Sequence, residues 1–190
     1  NGRIQNITDG SGSYECFYDD LGNVIEEHRA IAVPGVYEVY NFRMNYTYDS
    51  WGRMRTMVYP DGETVNYRYT WGGDLEGMDG NNGDYIEYIR NISYNGYGQK
   101  DHVEYGNNTM AEYSYDILHR LVGLRSIGGY GSPMQEISYT FDKVNNITGI
   151  TNTAGPVNSM GGDYENSYNY DNLYRLVSSS GAGMIGNYAM

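Results

Sequence analysis

Pairs of aromatic residues two positions apart recur along the chain: Tyr46 and Tyr48, Tyr67 and Tyr69, Tyr113 and Tyr115, Tyr139 and Phe141, Tyr168 and Tyr170. Side chains alternate between the two faces of a strand, so each pair sets two rings on one face. Each pair is followed by turn-forming Asp, Asn or Gly, then by an aliphatic that opens a second apolar run, as in Met54-x-x-Met57, Leu121-x-x-Leu124 and Ile147-x-x-Ile150. A strand, a tight turn and a return strand make a β-hairpin. The pattern therefore predicts an all-β protein of tandem hairpins, with no helix longer than about two turns.

Aligned on the second ring, seven copies stand in register, at positions 18, 48, 69, 94, 115, 141 and 170. Cys16-x-Tyr18-Asp19 and Ile92-x-Tyr94-Asn95 are variants in which the first ring is replaced. Gly2-Arg3-Ile4 reads as the tail of a further copy. The spacings of 30, 21, 25, 21, 26 and 29 residues between those positions imply a fixed unit joined by loops of variable length. We expect residues 1–190 to form a single array of about seven repeats, excised from a longer protein.

Each conserved slot of the unit has a physical role. Asp19, Asp49, Asp116, Asp142 and Asp171 end the first strand, where a carboxylate accepts hydrogen bonds from turn N–H groups. Three residues later stand Gly22, Gly52, Gly73 and Gly98, suited to a positive φ, then His119, Asn145 and Tyr174. His and Asn tolerate that conformation; Tyr174 fits it poorly. Arg53, Arg120 and Arg175, four residues after an Asp, are placed to pair with it across the turn. Second turns follow at Tyr59-Pro60-Asp61-Gly62 and Gly106-Asn107-Asn108. A lone hairpin is marginal in water. Stacked copies bury one another's rings and aliphatics, and stability becomes a sum over neighbouring interfaces, with aromatic ladders adding about 0.5–1.5 kcal/mol per ring pair.

Composition sharpens this picture. Tyr (23) and Gly (26) exceed a quarter of the 190 residues, so order comes from rings and turns and not from aliphatic helices. A net charge of −12 argues against nucleic acid and against anionic membrane surfaces. No apolar run is long enough for a membrane-spanning helix. Cys16 is the only cysteine, which excludes an internal disulfide and a cysteine-based zinc site. It holds the first-ring slot of its copy and is expected to be a buried small side chain.

These copies resemble the Rhs or YD-repeat family, named for the Tyr-Asp dipeptide present at 18–19, 48–49, 115–116 and 170–171. The resemblance covers nearly the whole chain. It implies a curved β-strip that spirals into a hollow shell, as in bacterial Rhs proteins, toxin-complex shell proteins and the barrel of teneurins. It further implies a secreted or cell-surface bacterial protein whose partner is its own or an associated polypeptide cargo, a C-terminal toxin or effector domain. The self-cleaving end of Rhs toxins contains Asp-Pro, which is absent here, so the chain reads as an internal arc of such a shell.

Candidate chemistry is sparse, and no catalytic, cofactor or metal residue is assigned. Gly181-x-Gly183-x-x-Gly186 spells a dinucleotide fingerprint without the helix it needs and is expected to be a loop between repeats. Asp79-Gly80-Asn81-Asn82-Gly83-Asp84 lacks the calcium-loop spacing and reads as a hairpin turn. His28, His102 and His119 form no ligand spacing, and five Asn-x-Ser/Thr sequons follow from the abundance of Asn. The expectation is a scaffold and not an enzyme. The alternative is an adhesion module binding glycan or protein through exposed tyrosines, and open sheet edges are expected to favour self-association.

Overall fold

The computed structural model describes residues 2–35, 37–129, 131–156 and 162–182. Among these residues there are fifteen strands and no helix. They are β1 (Asn6–Asp9), β2 (Gly12–Tyr18), β3 (Val24–Ala32), β4 (Val39–Tyr48), β5 (Met54–Val58), β6 (Thr64–Tyr69), β7 (Leu75–Asn81), β8 (Tyr85–Tyr94), β9 (Lys100–Tyr105), β10 (Met110–Tyr115), β11 (Leu121–Ile127), β12 (Pro133–Phe141), β13 (Ile147–Asn152), β14 (Tyr164–Tyr170) and β15 (Leu176–Ala182). Strand neighbours follow chain order, an antiparallel meander with no crossover. The chain divides into two compact units, residues 1–90 and 91–190.

Within each unit successive hairpins join edge to edge by backbone pairing. In the first, Asn45 of β4 faces both Glu26 of β3 and Val58 of β5. In the second, Ile137 of β12 faces both Leu124 of β11 and Asn152 of β13. Copies expected to stack are thus laid side by side, because an antiparallel edge left by one hairpin is completed by the next.

The strands alternate as the sequence requires. In β12, Ile137 is buried and Tyr139 and Phe141 are half-buried, while Ser138 and Thr140 between them are exposed. In β10, Ala111, Tyr113 and Tyr115 share the covered face. The core is thin: Cys16 and Val65 are buried hydrophobics of the first unit, and Ile92, Val103, Ala111, Ile127, Ile137 and Ala154 those of the second.

Candidate functional site

The recurring structure is the turn after the second ring. In all seven copies the residue of the Asp slot receives a hydrogen bond at its carbonyl from the N–H three residues on, and donates its own N–H to the carbonyl four residues on. For Asp49 these are Gly52 N–H at 3.0 Å and Arg53 C=O at 2.9 Å. The residue closing the turn takes a positive φ every time, from Gly52 (75°) and Gly98 (75°) to His119 (62°), Asn145 (73°) and Tyr174 (61°). Tyr174 therefore adopts the left-handed conformation despite its Cβ. The strand pairing slips by one residue just before the second ring, as at Thr47/Tyr48 and Ser114/Tyr115. A turn closed by a left-handed residue generates that bulge.

The carboxylate holds the turn from inside. Asp49 Oδ1 accepts the N–H groups of Trp51 (2.9 Å) and Arg53 (3.0 Å), and its Oδ2 accepts Arg53 Nε and Nη2, both at 2.7 Å. Asp116 with Arg120 and Asp171 with Arg175 repeat this arrangement. Asn23 and Asn146 substitute for arginine, donating Nδ2 to Asp19 (2.9 Å) and Asp142 (2.8 Å). Two copies use other chemistry that the sequence alignment did not anticipate. Thr70 Oγ1 accepts Asp74 N–H at 3.2 Å, and Asn95 Oδ1 accepts the N–H groups of Tyr97 and Gln99.

All five aspartates are held below the ordinary value of 3.8. The leading cause is the Asn23 side chain for Asp19 and the Arg53 side chain for Asp49. It is the backbone N–H of Arg120 for Asp116 and of Arg175 for Asp171. For Asp142 burial is the largest influence and opposes the shift, and the Asn146 side chain and turn N–H groups outweigh it.

The second ring ties each copy to the one before. In five copies its hydroxyl donates to a backbone carbonyl of the previous copy: Tyr18 to Ile4 (2.6 Å), ahead of β1, and, at the first residue of the return strand, Tyr48 to Val24 (2.8 Å), Tyr69 to Met54 (2.7 Å), Tyr115 to Lys100 (2.8 Å) and Tyr170 to Ile147 (2.8 Å). Phe141 lacks the hydroxyl, and the Arg120 guanidinium of the previous turn lies 4.5 Å from its ring centre. Arg53 sits likewise 4.5 Å from Tyr69 and 4.7 Å from Trp51, its buried Nη1 without an acceptor. At Phe141 cation–π attraction takes the place of the hydroxyl–carbonyl bond, whereas Tyr69 makes both contacts. The ladder expected from ring stacking is thus built from hydroxyl–carbonyl bonds and arginine–ring contacts. Ring pairs occur elsewhere, Phe17 with His28 (5.1 Å) and Tyr97 with His119 (4.0 Å).

The first-slot rings Tyr46, Tyr67, Tyr113, Tyr139 and Tyr168 are half-buried on the same face as their partners, and Tyr46 donates to Glu27 at 2.9 Å. Cys16 and Ile92, in that slot, are buried. Tyr94 is half-buried at the end of β8.

The other singled-out residues are structural. Asp79 lies in β7 and pairs with Arg68 and Asn66. Gly181 is in β15 opposite Asn166, which corrects the expected loop at that position: continuation of the strand uses its backbone. Gly183 and Gly186 lie outside the described residues. Among the described residues no cluster of His, Cys, Asp or Glu is placed to hold a metal ion, and no helix is long and apolar enough to cross a membrane.

One feature of the turns has a faint sequence signal, a large apolar residue beside the left-handed slot. Leu21, Trp51 and Trp71 in the first unit are exposed at the turn tips. So are Tyr97, Ile117, Leu118, Val144, Leu173 and Tyr174 in the second.

No protein-family model matches the chain. Toxin subunits YenC1 and YenC2 of Yersinia entomophaga are similar to it, at 35% identity over 105 residues and 34% over 107. Those stretches cover 50% and 52% of this chain and 11% of either relative. The crystal structure of TcdB2–TccC3 has a similar fold, with a TM-score of 0.77 and 23% identity, over 90% of this chain and 9% of that one.

Proposed function

From a chain whose repeat and all-β fold are those of the Rhs/YD-repeat family, we infer a structural role: it is one stretch of the wall of a larger shell that encloses a polypeptide cargo. The observation that carries this reading is where the polar chemistry goes. The aspartates, arginines and second-ring hydroxyls are bonded to their own turn or to the neighbouring copy, which leaves them to hold a wall and not to act on a substrate. No copy is singled out from the others, as a catalytic or a dedicated ligand site would be.

Relatives that are toxin subunits support a secreted toxin-complex setting, and the cargo would be a toxin or effector domain of the same assembly. The paired tyrosines are half-buried and five second-ring hydroxyls are engaged, which favours the wall over a glycan-binding face built on those pairs. The protein would have no catalytic activity of its own and need no cofactor.

Limited proteolysis of the full-length protein tests enclosure. A C-terminal domain should resist protease in the intact protein and become sensitive when Tyr48 and Tyr115 are both changed to Ala. Rapid digestion of that domain within the intact protein, with saturable sugar binding by this chain, overturns the reading.

A further inference from the structure

The turn and its latch are common chemistry, but the tips of two successive turns carry the only two tryptophans of the chain. Trp51 stands in the turn at 49–53 and Trp71 in the turn at 70–74. With Arg53, Tyr69 and Thr70 they line one cleft of about 310 Å³. Trp71 is fully exposed and Trp51 largely so. Indole surface left in water beside a cleft marks a binding site.

Trp51 is held in place before any ligand arrives. The Arg53 guanidinium lies 4.7 Å from its ring centre and is itself locked to Asp49. The indole also comes within 3.7 Å of where a Cβ on Gly73 would stand, so it leans on the backbone of the next turn. A prearranged surface loses less freedom on binding. Most polar groups of the lining are engaged within the fold. Arg53 Nε and Nη2 bond Asp49, the Tyr69 hydroxyl bonds the Met54 carbonyl, and Thr70 Oγ1 holds Asp74 N–H. Among the described residues neither indole N–H has an acceptor. Asp74 stands where the other copies place Arg, Asn or Gln, and with Thr70 in the acid slot its carboxylate, beside Gly72, has no partner either.

These free groups define the ligand. It must lay apolar faces on two indoles, offer acceptors to their N–H groups and bring a cation to Asp74. A sugar would also need partners for its many hydroxyls, and the lining has few left. An extended proline-rich segment meets all three demands. Polyproline II makes no internal hydrogen bonds, so its carbonyls are free, and rings three residues apart recur on one side every ~9.3 Å. Successive turns at one end of the meander are two strands apart, about 9.6 Å at the ordinary strand spacing. The net charge of −12 further favours a basic flank.

We propose that the Trp51–Trp71 cleft docks a proline-rich, basic segment of a partner polypeptide in the polyproline II form. The proposal does not rest on cargo enclosure. The probe is an acetylated peptide of ten prolines followed by two arginines, titrated into the chain while indole emission is recorded. A saturable change in emission is expected. Trp71→Ala should weaken binding by at least about tenfold with the circular dichroism unchanged, since that side chain is fully exposed and Trp51 still reports. Asp74→Asn should weaken it about threefold and flatten its salt dependence. Leu21→Ala, at the exposed tip of another turn, should change nothing. Absence of saturable binding, or binding unaltered by Trp71→Ala, overturns the proposal. So does equal binding of a Gly-Ser peptide ending in two arginines, which would mean charge alone, or saturation by cellohexaose and not by the proline probe.

Discussion

Two residue types decide each turn, the one that adopts a positive φ and the one that supplies the hydroxyl. Gly52, at φ 75°, has nothing within 4 Å of where a Cβ would stand, so a side chain there meets backbone strain and not a clash. Gly52→Val should destabilise the protein by about 1–3 kcal/mol, measured by urea unfolding. Tyr174 is the converse case, a bulky residue at φ 61° whose side chain is largely exposed. Tyr174→Gly should raise stability by up to about 1 kcal/mol by relieving the left-handed strain. Removing one phenol from the latch, with Tyr48→Phe, leaves the Val24 carbonyl without its 2.8 Å donor and should cost about 1–2 kcal/mol. A smaller change than Gly52→Val produces would fit the tolerance for Phe141 at the same slot.

At the scale of the hairpin the turns and latches titrate at opposite ends of the pH range. The five aspartates are depressed below 3.8 in the fold, so their contribution is complete above that value and is lost as pH falls toward the depressed folded values. The tyrosines run the other way. Burial, the first cause in each case, raises Tyr48, Tyr69 and Tyr115 above 10.0, and Tyr46 well above it. Their contribution is complete below pH 10 and is lost as pH rises toward the raised folded values, since a phenolate cannot donate to its acceptor, a backbone carbonyl for Tyr48, Tyr69 and Tyr115 and the Glu27 carboxylate for Tyr46. Thermal melts should show a plateau from about pH 5 to 9 with a fall on either side. An alkaline fall that persists undiminished when Tyr48, Tyr69 and Tyr115 are all changed to Phe would detach it from the latch. The turn chemistry was largely legible at this scale, because Asp, Gly and Arg at fixed offsets have few other uses. The Thr70–Asp74 and Asn95–Gln99 variants were not, because the acceptor there is a hydroxyl or an amide and the alignment sought a carboxylate.

For the molecule as a whole, neighbouring pairings carry the stability, so damage should stay local. Val65, 4% exposed, belongs to the first unit and Val103, 3% exposed, to the second. Val65→Asp buries an unpaired charge and should cost more than about 3 kcal/mol in the unit that holds it. Hydrogen exchange should show amides of residues 2–90 losing protection first and those of the second unit keeping most of theirs. Equal loss everywhere would mean one cooperative block.

The sequence by itself determined the hairpin, its face and the chemistry of its turn, because period-two rings, a turn acid and a left-handed slot are local constraints read within about ten residues. It did not determine how one hairpin meets the next. Edge-to-edge pairing in chain order and the phenol that reaches back from Tyr115 to Lys100 join residues brought together only by the tertiary structure, and only there are the turn tips Leu118 and Leu173 seen to be exposed. Backbone hydrogen bonds are the same for every residue, so no side-chain pattern announces which edge completes which. An apolar tip beside a glycine reads like a core residue until the strands on either side show that nothing lies over it.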